Sequence, residues 1–158
     1  MTTSIVLLLA FLIGVVSGLR SLTAPAVVAW AAHRGWIHLN YAPLHFLGSM
    51  AAVAVFTLFA IVELVADQLP KAPSRTAPPG LIARIVLGAL CGAALAVSGA
   101  QSFAIGAVLG AAGGVAGAFG GYQVRTRLVR ALMVPDFAIA TSEDAVAIGA
   151  AFIIVSRF

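Results

Sequence analysis

The chain has 158 residues, of which 62% are hydrophobic and only 9% are charged, and its formal net charge is +4. Soluble domains carry about 25% charged residues, so this composition excludes an ordinary soluble domain. It predicts one all-α integral membrane domain, residues 1–158, built as a polytopic bundle of transmembrane helices. The positive charge does not indicate nucleic-acid binding, because the basic residues lie at the ends of apolar runs, where topology and lipid headgroups account for them.

About five apolar runs are long enough to cross a bilayer. In chain order the predicted spans are residues 4–25 or somewhat beyond, 44–66, 81–97, 103–124 and 137–156. Residues 69–80 are rich in proline and are predicted to form a cytoplasmic linker between two halves. With Arg20 set aside, six basic residues then fall on the side of the amino terminus, and Arg34 and Arg157 fall on the other. The positive-inside rule therefore predicts a cytoplasmic amino terminus and an outside carboxyl terminus.

The first apolar run is too long for one upright helix. Residues 4–32 would extend about 43 Å as a continuous helix at 1.5 Å per residue, whereas the hydrocarbon core is about 30 Å thick. The segment SGLRSLTAP interrupts this run. Gly18 lowers helix propensity, and Pro25 lacks an amide hydrogen and disfavours helix just before it. We therefore predict a break near Gly18 to Pro25, followed by a short helical piece over residues 26–32.

Arg20 lies at this predicted break and has two interpretations. Its long side chain could snorkel to the membrane surface. Alternatively, it could face inward, where the amides freed at a helix end attract anions and the guanidinium suits phosphate or carboxylate. The candidate substrate-binding residues are Arg20, the neighbouring hydroxyls, and two arginines from the second loop and third span: Ser17, Ser21, Thr23, Arg75 and Arg84.

Four acidic residues are candidates for proton coupling or for ion pairs. Glu63 and Asp67 are four apart near the end of the second span, and so share a helix face if that helix continues. Glu143 and Asp144 lie within the fifth span, where an ionisable group costs about 2.5–3.5 kcal/mol on insertion scales. Consecutive residues point about 100° apart on a helix, which indicates different roles for Glu143 and Asp144. The alternative is that all four simply pair with nearby arginines and hold the helices together.

Glycines recur every four residues in the fourth span, a spacing that lets helices approach closely. This glycine-zipper pattern favours internal packing or a homodimer interface, and its members are Gly106, Gly110, Gly114, Gly117 and Gly121. The fourth span also ends like the first, in a glycine-rich helix followed by an arginine-bearing stretch. This similarity favours an inverted repeat that relates spans one and two to spans four and five, a design common in transporters.

The sequence predicts no metal and no cofactor, and it contains no recognised catalytic constellation such as HExxH or GxSxG. His33, His38 and His45 fall in or near the first outer loop beside aromatic residues, which is typical of a membrane interface. Cys91 is a single cysteine in an apolar run, so it forms no internal disulfide.

Three stretches resemble one bacterial membrane family. GLRSLTAPAVVAWAA, ELVADQLPKAPSRTAP and SEDAVAIGAA occur in this order, and together they resemble domain-of-unknown-function family 4126 over nearly the whole chain. The resemblance implies a small multi-pass protein of the bacterial inner membrane. It brings no activity, substrate or catalytic residue with it.

These observations lead to one hypothesis and two alternatives. The hypothesis is a small transporter or flippase-like protein, working in the lipid bilayer as a homodimer. It would carry an anionic substrate, either a small organic anion or a phosphate-bearing lipid, with proton coupling. The alternatives are a non-transporting membrane scaffold and, less favoured, a membrane-embedded enzyme acting on lipids.

Overall fold

The computed structural model describes residues 1–39, 42–66, 77–132 and 136–158, and within these ranges the regular structure is entirely helical. The all-α prediction is therefore confirmed for the described part of the chain. The helices are α1 (Thr3–Leu19), α2 (Thr23–His33), a 3-10 helix (Ala42–Gly48), α3 (Met50–Ala66), α4 (Pro78–Ser98), α5 (Phe103–Leu132) and α6 (Asp136–Val155).

Three stretches within these helices are long and apolar enough to cross a membrane. They are Pro78–Ser98, Phe103–Ala131 and Ala138–Val155, and they correspond to the third, fourth and fifth predicted spans. Helices α1 and α3 are also apolar but have only 17 residues each. The membrane character follows from the composition and length of these helices, while the count of five spans is not confirmed.

The predicted break in the first apolar run is present, and it is narrower than predicted. Helix α1 ends at Leu19 and α2 begins at Thr23. Pro25 lies in the first turn of α2, where a missing amide hydrogen costs nothing, so it helps to start this helix. Gly18 remains inside α1. A Cβ atom on Gly18 would lie 2.4 Å from the carbonyl oxygen of Gly114 on α5, so Gly18 serves close packing.

The break reverses the direction of the chain. Met1, His38, Ser98 and Phe158 line one pocket, so the start of α1 and the segment after α2 lie at the same end of the bundle. Helix α2 therefore runs back alongside α1, and the two form a hairpin. Both termini lie at this end, which contradicts the prediction of termini on opposite sides. The sequence count missed one reversal because a kinked helix and a hairpin have the same apolar pattern.

The centre of the bundle is a tight packing of α1, α4 and α5 through glycines. Gly110 lies between the other two helices: a Cβ on Gly14 would come 2.1 Å from the Gly110 carbonyl oxygen, and a Cβ on Gly88 would come 2.6 Å from it. Gly106, Gly114 and Gly117 make similarly close backbone contacts with α1 or α4. Gly121 is buried. The glycine pattern of α5 thus serves internal packing, the first of the two predicted uses.

Helices α1 and α5 run in the same direction. Gly14 packs on Gly110, and Gly18 packs on Gly114. Successive contacts therefore advance toward the carboxyl end of both helices. An inverted repeat would place corresponding helices in opposite directions. The contact pattern therefore contradicts the predicted inverted relation between the first and fourth spans. The matching glycines reflect direct packing of one helix on the other.

Helices α3 and α6 flank α2. Ser21 contacts Glu63 and Trp30 contacts Thr57, so α2 and α3 are antiparallel. Phe152, near the end of α6, packs edge-to-face on Trp36 just after α2. The beginning of α2 consequently lies between α3 and α6, which brings their acidic residues to the break.

Candidate functional site: a charged cluster at the helix break

Arg20 is completely buried, with 0% of its surface exposed. Its backbone amide donates to the Val16 carbonyl and closes α1. Its guanidinium forms an ion pair with the carboxylate of Asp144 on α6. Arg20 therefore faces inward as predicted by one interpretation, and the snorkelling interpretation is wrong, since a snorkelling side chain would reach the surface.

The carboxylate of Glu63 binds the amino-terminal end of α2. One oxygen accepts hydrogen bonds from the Ser21 amide at 2.8 Å and from the Ser21 hydroxyl, and the other accepts from the Leu22 amide at 2.8 Å. Freed amides and the helix dipole favour an anion at this position. The anion position predicted at the break exists, and an internal carboxylate occupies it.

Arg84 binds the carboxyl-terminal end of α1, on the other side of the break. Its Nε atom donates to the Gly18 carbonyl oxygen at 3.1 Å, and its Nη1 atom donates to the Gly80 carbonyl oxygen at 3.1 Å. Gly18 lies in the last turn of α1, where carbonyls lack partners within the helix and a cation is favoured. Arg84 Nη2 also lies 4.0 Å from Glu63 Oε1. Arg84 and Glu63 thus satisfy the two helix ends with charges of the matching sign.

The cluster lies inside the bundle, away from its ends. Arg84 is six residues after Pro78, and Asp144 is six residues after Ala138, the starts of their apolar stretches. Each is therefore about 9 Å along its stretch at 1.5 Å per residue. Charged groups at this depth normally face the bundle interior, pair with one another and mark substrate or ion pathways.

The hydroxyl groups at the break have unequal roles. Ser17 Oγ donates to backbone carbonyls of Ser21 and Arg84, at 3.4 and 3.3 Å, so it bonds the kinked backbone. Ser21 is engaged by Glu63. Thr23 is only 3% exposed, and its hydroxyl has no hydrogen-bond partner among the described residues. Of the three hydroxyls, that of Thr23 remains available to a bound molecule.

Glu143 and Asp144 each form an ion pair with an arginine, while their predicted difference in role stays a prediction. Asp144 pairs with Arg20, while Glu143 Oε2 lies 3.9 Å from Nη1 of Arg125 on α5. The predictions for Asp67 and Arg75 lie outside the described residues.

Within the described ranges, no group of three or more His, Cys, Asp or Glu side chains is placed to hold a metal ion. His33 Nδ1 lies 3.0 Å from the Gly48 carbonyl oxygen, and its ring packs edge-to-face on Trp30. The polar chemistry of the described residues therefore concentrates at the helix break.

The fold and the cluster define a class: a helical protein with membrane-length apolar helices and buried ion pairs at a helix interruption. The family model described as "Domain of unknown function (DUF4126)" matches residues 7–156, and the chain belongs to this family. The comparison with curated proteins found no match. The comparison with solved structures likewise found none.

Most charged residues of the cluster can be recognised in the sequence, but their ion-pair partners cannot. Arg20, Glu63 and Asp144 were each conspicuous as charges in apolar runs. Their pairing depends on the hairpin, which brings α2 between α3 and α6. Arg125 could be recognised only as one of several basic residues near the same membrane face.

Proposed function

We propose that this protein is a small membrane transporter, or a flippase-like protein, for an anionic substrate and that it is coupled to protons. The observation that carries the proposal is the fully buried Arg20 guanidinium, held at a helix break against the carboxylate of Asp144. Such a buried pair is often no more stabilising than apolar residues of the same volume. Its presence in an apolar bundle therefore favours a role in binding or coupling.

Exchange of one anion for another gives this pair a transport mechanism. A substrate carboxylate or phosphate binds Arg20 in place of Asp144, and the released Asp144 takes up a proton. The buried site then holds one cation, one anion and a neutral acid, so its net charge is unchanged. This balance avoids the cost of an uncompensated buried charge. It couples one proton to one monovalent anion.

Thr23 and Glu63 fit the same mechanism. The Thr23 hydroxyl, three residues after Arg20, supplies a donor or acceptor to the bound anion. Glu63 holds the beginning of α2 in place through the Ser21 and Leu22 amides. Protonation of Glu63 would weaken these contacts and loosen the break, which offers a second point of proton coupling.

The arrangement in the membrane is part of the proposal. Helix α5 starts at the end that holds both termini and carries Arg125, Arg127 and Arg130 at its other end. The positive-inside rule places this basic end in the bacterial cytoplasm and both termini outside.

Val115, Phe119 and Tyr122 are exposed on α5, and this apolar surface is available to a second copy in a homodimer.

A flux measurement tests the proposal. Purified protein is reconstituted into liposomes that contain a pH-sensitive dye, and an inward gradient of gluconate or inorganic phosphate is applied at mildly acidic pH. We expect anion-dependent acidification of the interior, which for gluconate is insensitive to an imposed membrane potential. The double variant Arg20→Met/Asp144→Leu should abolish it, and the exposed-site control Arg127→Gln should not. Failure to move either anion, or equal flux in the double variant, would reject the proposal.

A membrane scaffold is the second candidate, and the ion pairs themselves favour it. Arg20–Asp144 joins the break to α6, Arg84–Glu63 joins α4 to α3, and a third pair joins α5 to α6. For a scaffold, the apolar double variant should keep the fold and assembly of the wild type, because an apolar contact of similar volume still links the break to α6.

A further inference from the structure

A concave groove lies between α2 and α6, toward the end of the bundle that holds both termini. Its volume is about 420 Å³, within the range of about 300–1,000 Å³ that small-molecule sites occupy. The lining is mostly apolar and includes one cation: Val27, Trp30, Arg34, Trp36, Phe152 and Val155. Arg20 precedes α2 and Arg34 follows it, so this 11-residue helix, about 16 Å long at 1.5 Å per residue, separates the groove from the charged cluster.

Two contacts hold the aromatic walls of the groove in place. Trp30 Nε1 donates a hydrogen bond to Thr57 Oγ1 on α3 at 3.0 Å. The Trp36 ring packs edge-to-face on Phe152 with their centroids 5.4 Å apart. Both tryptophans remain more than a third exposed. Fixed, partly exposed tryptophans are typical of the interface between acyl chains and headgroups.

Arg34 supplies a positive charge at the end of this apolar groove. Its guanidinium carbon lies 5.5 Å from the centroid of the Trp30 ring, a distance at which a cation is attracted to the ring face. Arg34 is exposed. Among the described residues no carboxylate forms a salt bridge with it. The groove therefore combines an apolar channel with an exposed cation, which is complementary to a lipid with an anionic headgroup.

We propose that this groove binds one anionic phospholipid, with an acyl chain between α2 and α6 and the phosphate at Arg34. Trp30 and Trp36 contact the upper acyl chain and the glycerol region. The lipid would hold α2 against α6 and so support the hairpin from its far end. This proposal is independent of transport at Arg20, because no residue of the groove belongs to the charged cluster.

Native mass spectrometry of the purified full chain tests the site with phosphatidylglycerol and phosphatidylcholine of identical acyl chains. We expect one phosphatidylglycerol to be retained at least fivefold better than phosphatidylcholine. Arg34→Gln should remove this preference, and Val27→Phe, which fills the groove, should reduce retention of both lipids. Arg157→Gln is the matched control, because Arg157 lies at the same end but lines a different pocket.

Three results would overturn the lipid site. They are equal retention of the two lipids by the wild type, an unchanged preference in Arg34→Gln, and the same loss in the Arg157→Gln control. Glycerol phosphate at millimolar concentration should leave the bound lipid in place. Its displacement of the lipid would show a site for a free anion and would also contradict the proposal.

Discussion

Arg20 is the buried charged residue on which the proposed anion site depends. A charged side chain inside an apolar helix costs about 2.5–3.5 kcal/mol on insertion scales. Here that cost is offset by Asp144, which α6 places against the guanidinium. Removal of one partner from a buried pair leaves an uncompensated charge, whereas removal of both leaves an apolar contact of similar shape.

The first prediction follows from this asymmetry. Arg20→Met and Asp144→Leu, each made alone, should lower the free energy of unfolding by about 3–5 kcal/mol, because each removes one partner of a buried ion pair. The double variant should recover most of the loss. Thermal unfolding in detergent measures all three proteins. If the two single losses simply add in the double variant, the two residues are not coupled, and the pair described here is contradicted.

The hydrogen bonds between Glu63 and the start of α2 lead to a second prediction. Glu63→Gln replaces a carboxylate that accepts from the amides of Ser21 and Leu22, and hydrogen bonds to charged groups contribute about 1.5–3 kcal/mol each. Hydrogen exchange of the amides at the start of α2 should become roughly tenfold faster or more. This rate is measured by mass spectrometry of peptides that cover the break.

Glu143→Gln is the control for Glu63→Gln, because it makes the same chemical change at a carboxylate on α6 that pairs with Arg125 of α5. It should leave exchange at Ser21 and Leu22 unchanged. Equal protection of these amides in wild type and Glu63→Gln would show that the carboxylate does not hold the start of α2.

At the scale of elements, three glycine-lined helices form the closely packed centre of the molecule. Helices α1, α4 and α5 approach so closely that a Cβ on Gly110 would lie 2.1 Å from the Gly88 carbonyl oxygen. Small residues permit this approach, and van der Waals contact between the backbones stabilises it. The hairpin of α1 and α2 is anchored to this core through α1, while α2 contacts the flanking helices α3 and α6.

A pair of alanine substitutions on α5 tests this packing. Gly110→Ala should destabilise the protein by at least about 1–3 kcal/mol, the usual cost of overpacking, because backbone atoms would have to move. Gly120→Ala should be neutral, since a Cβ there meets nothing within 4 Å. Melting temperatures in detergent compare the two. Similar melting temperatures would contradict the close contact at Gly110.

The sequence predicted the existence of the break but not its geometry. Length and the segment around Arg20 required an interruption, and α1 and α2 confirm it. Whether the chain continues or turns back is decided by tertiary contacts, such as Trp30 with Thr57 and Ser21 with Glu63. These partners are 27 and 42 residues apart, so no local pattern could identify them. For the same reason each charged residue of the site was predictable, while its partner was not.

At the scale of the whole molecule, the arginines near the end of α5 and the two chain termini lie at opposite ends of the bundle. Met1 and Phe158 line a pocket at one end, and the arginines in the last two turns of α5 lie toward the other. The error in the predicted topology arose because the first run was counted as one crossing. The hairpin adds a reversal, so the amino terminus lies at the same end of the bundle as the carboxyl terminus.

Reporter fusions at both termini test this arrangement. A phosphatase that is active only outside and a fluorescent protein that matures only inside are fused in turn to each terminus. Both termini should report the outside. Termini on opposite sides of the membrane would contradict the hairpin and restore the odd number of crossings.

Anion binding by three purified proteins tests the central claim most directly, namely that Arg20 is an anion site whose resident anion is Asp144. Titration calorimetry with inorganic phosphate compares the wild type, Asp144→Asn and Arg20→Met/Asp144→Leu. Asp144→Asn removes the competing carboxylate, so we expect at least tenfold tighter binding than in the wild type and no binding in the double variant. Equal affinity in the wild type and Asp144→Asn, or undiminished binding in the double variant, would contradict the claim.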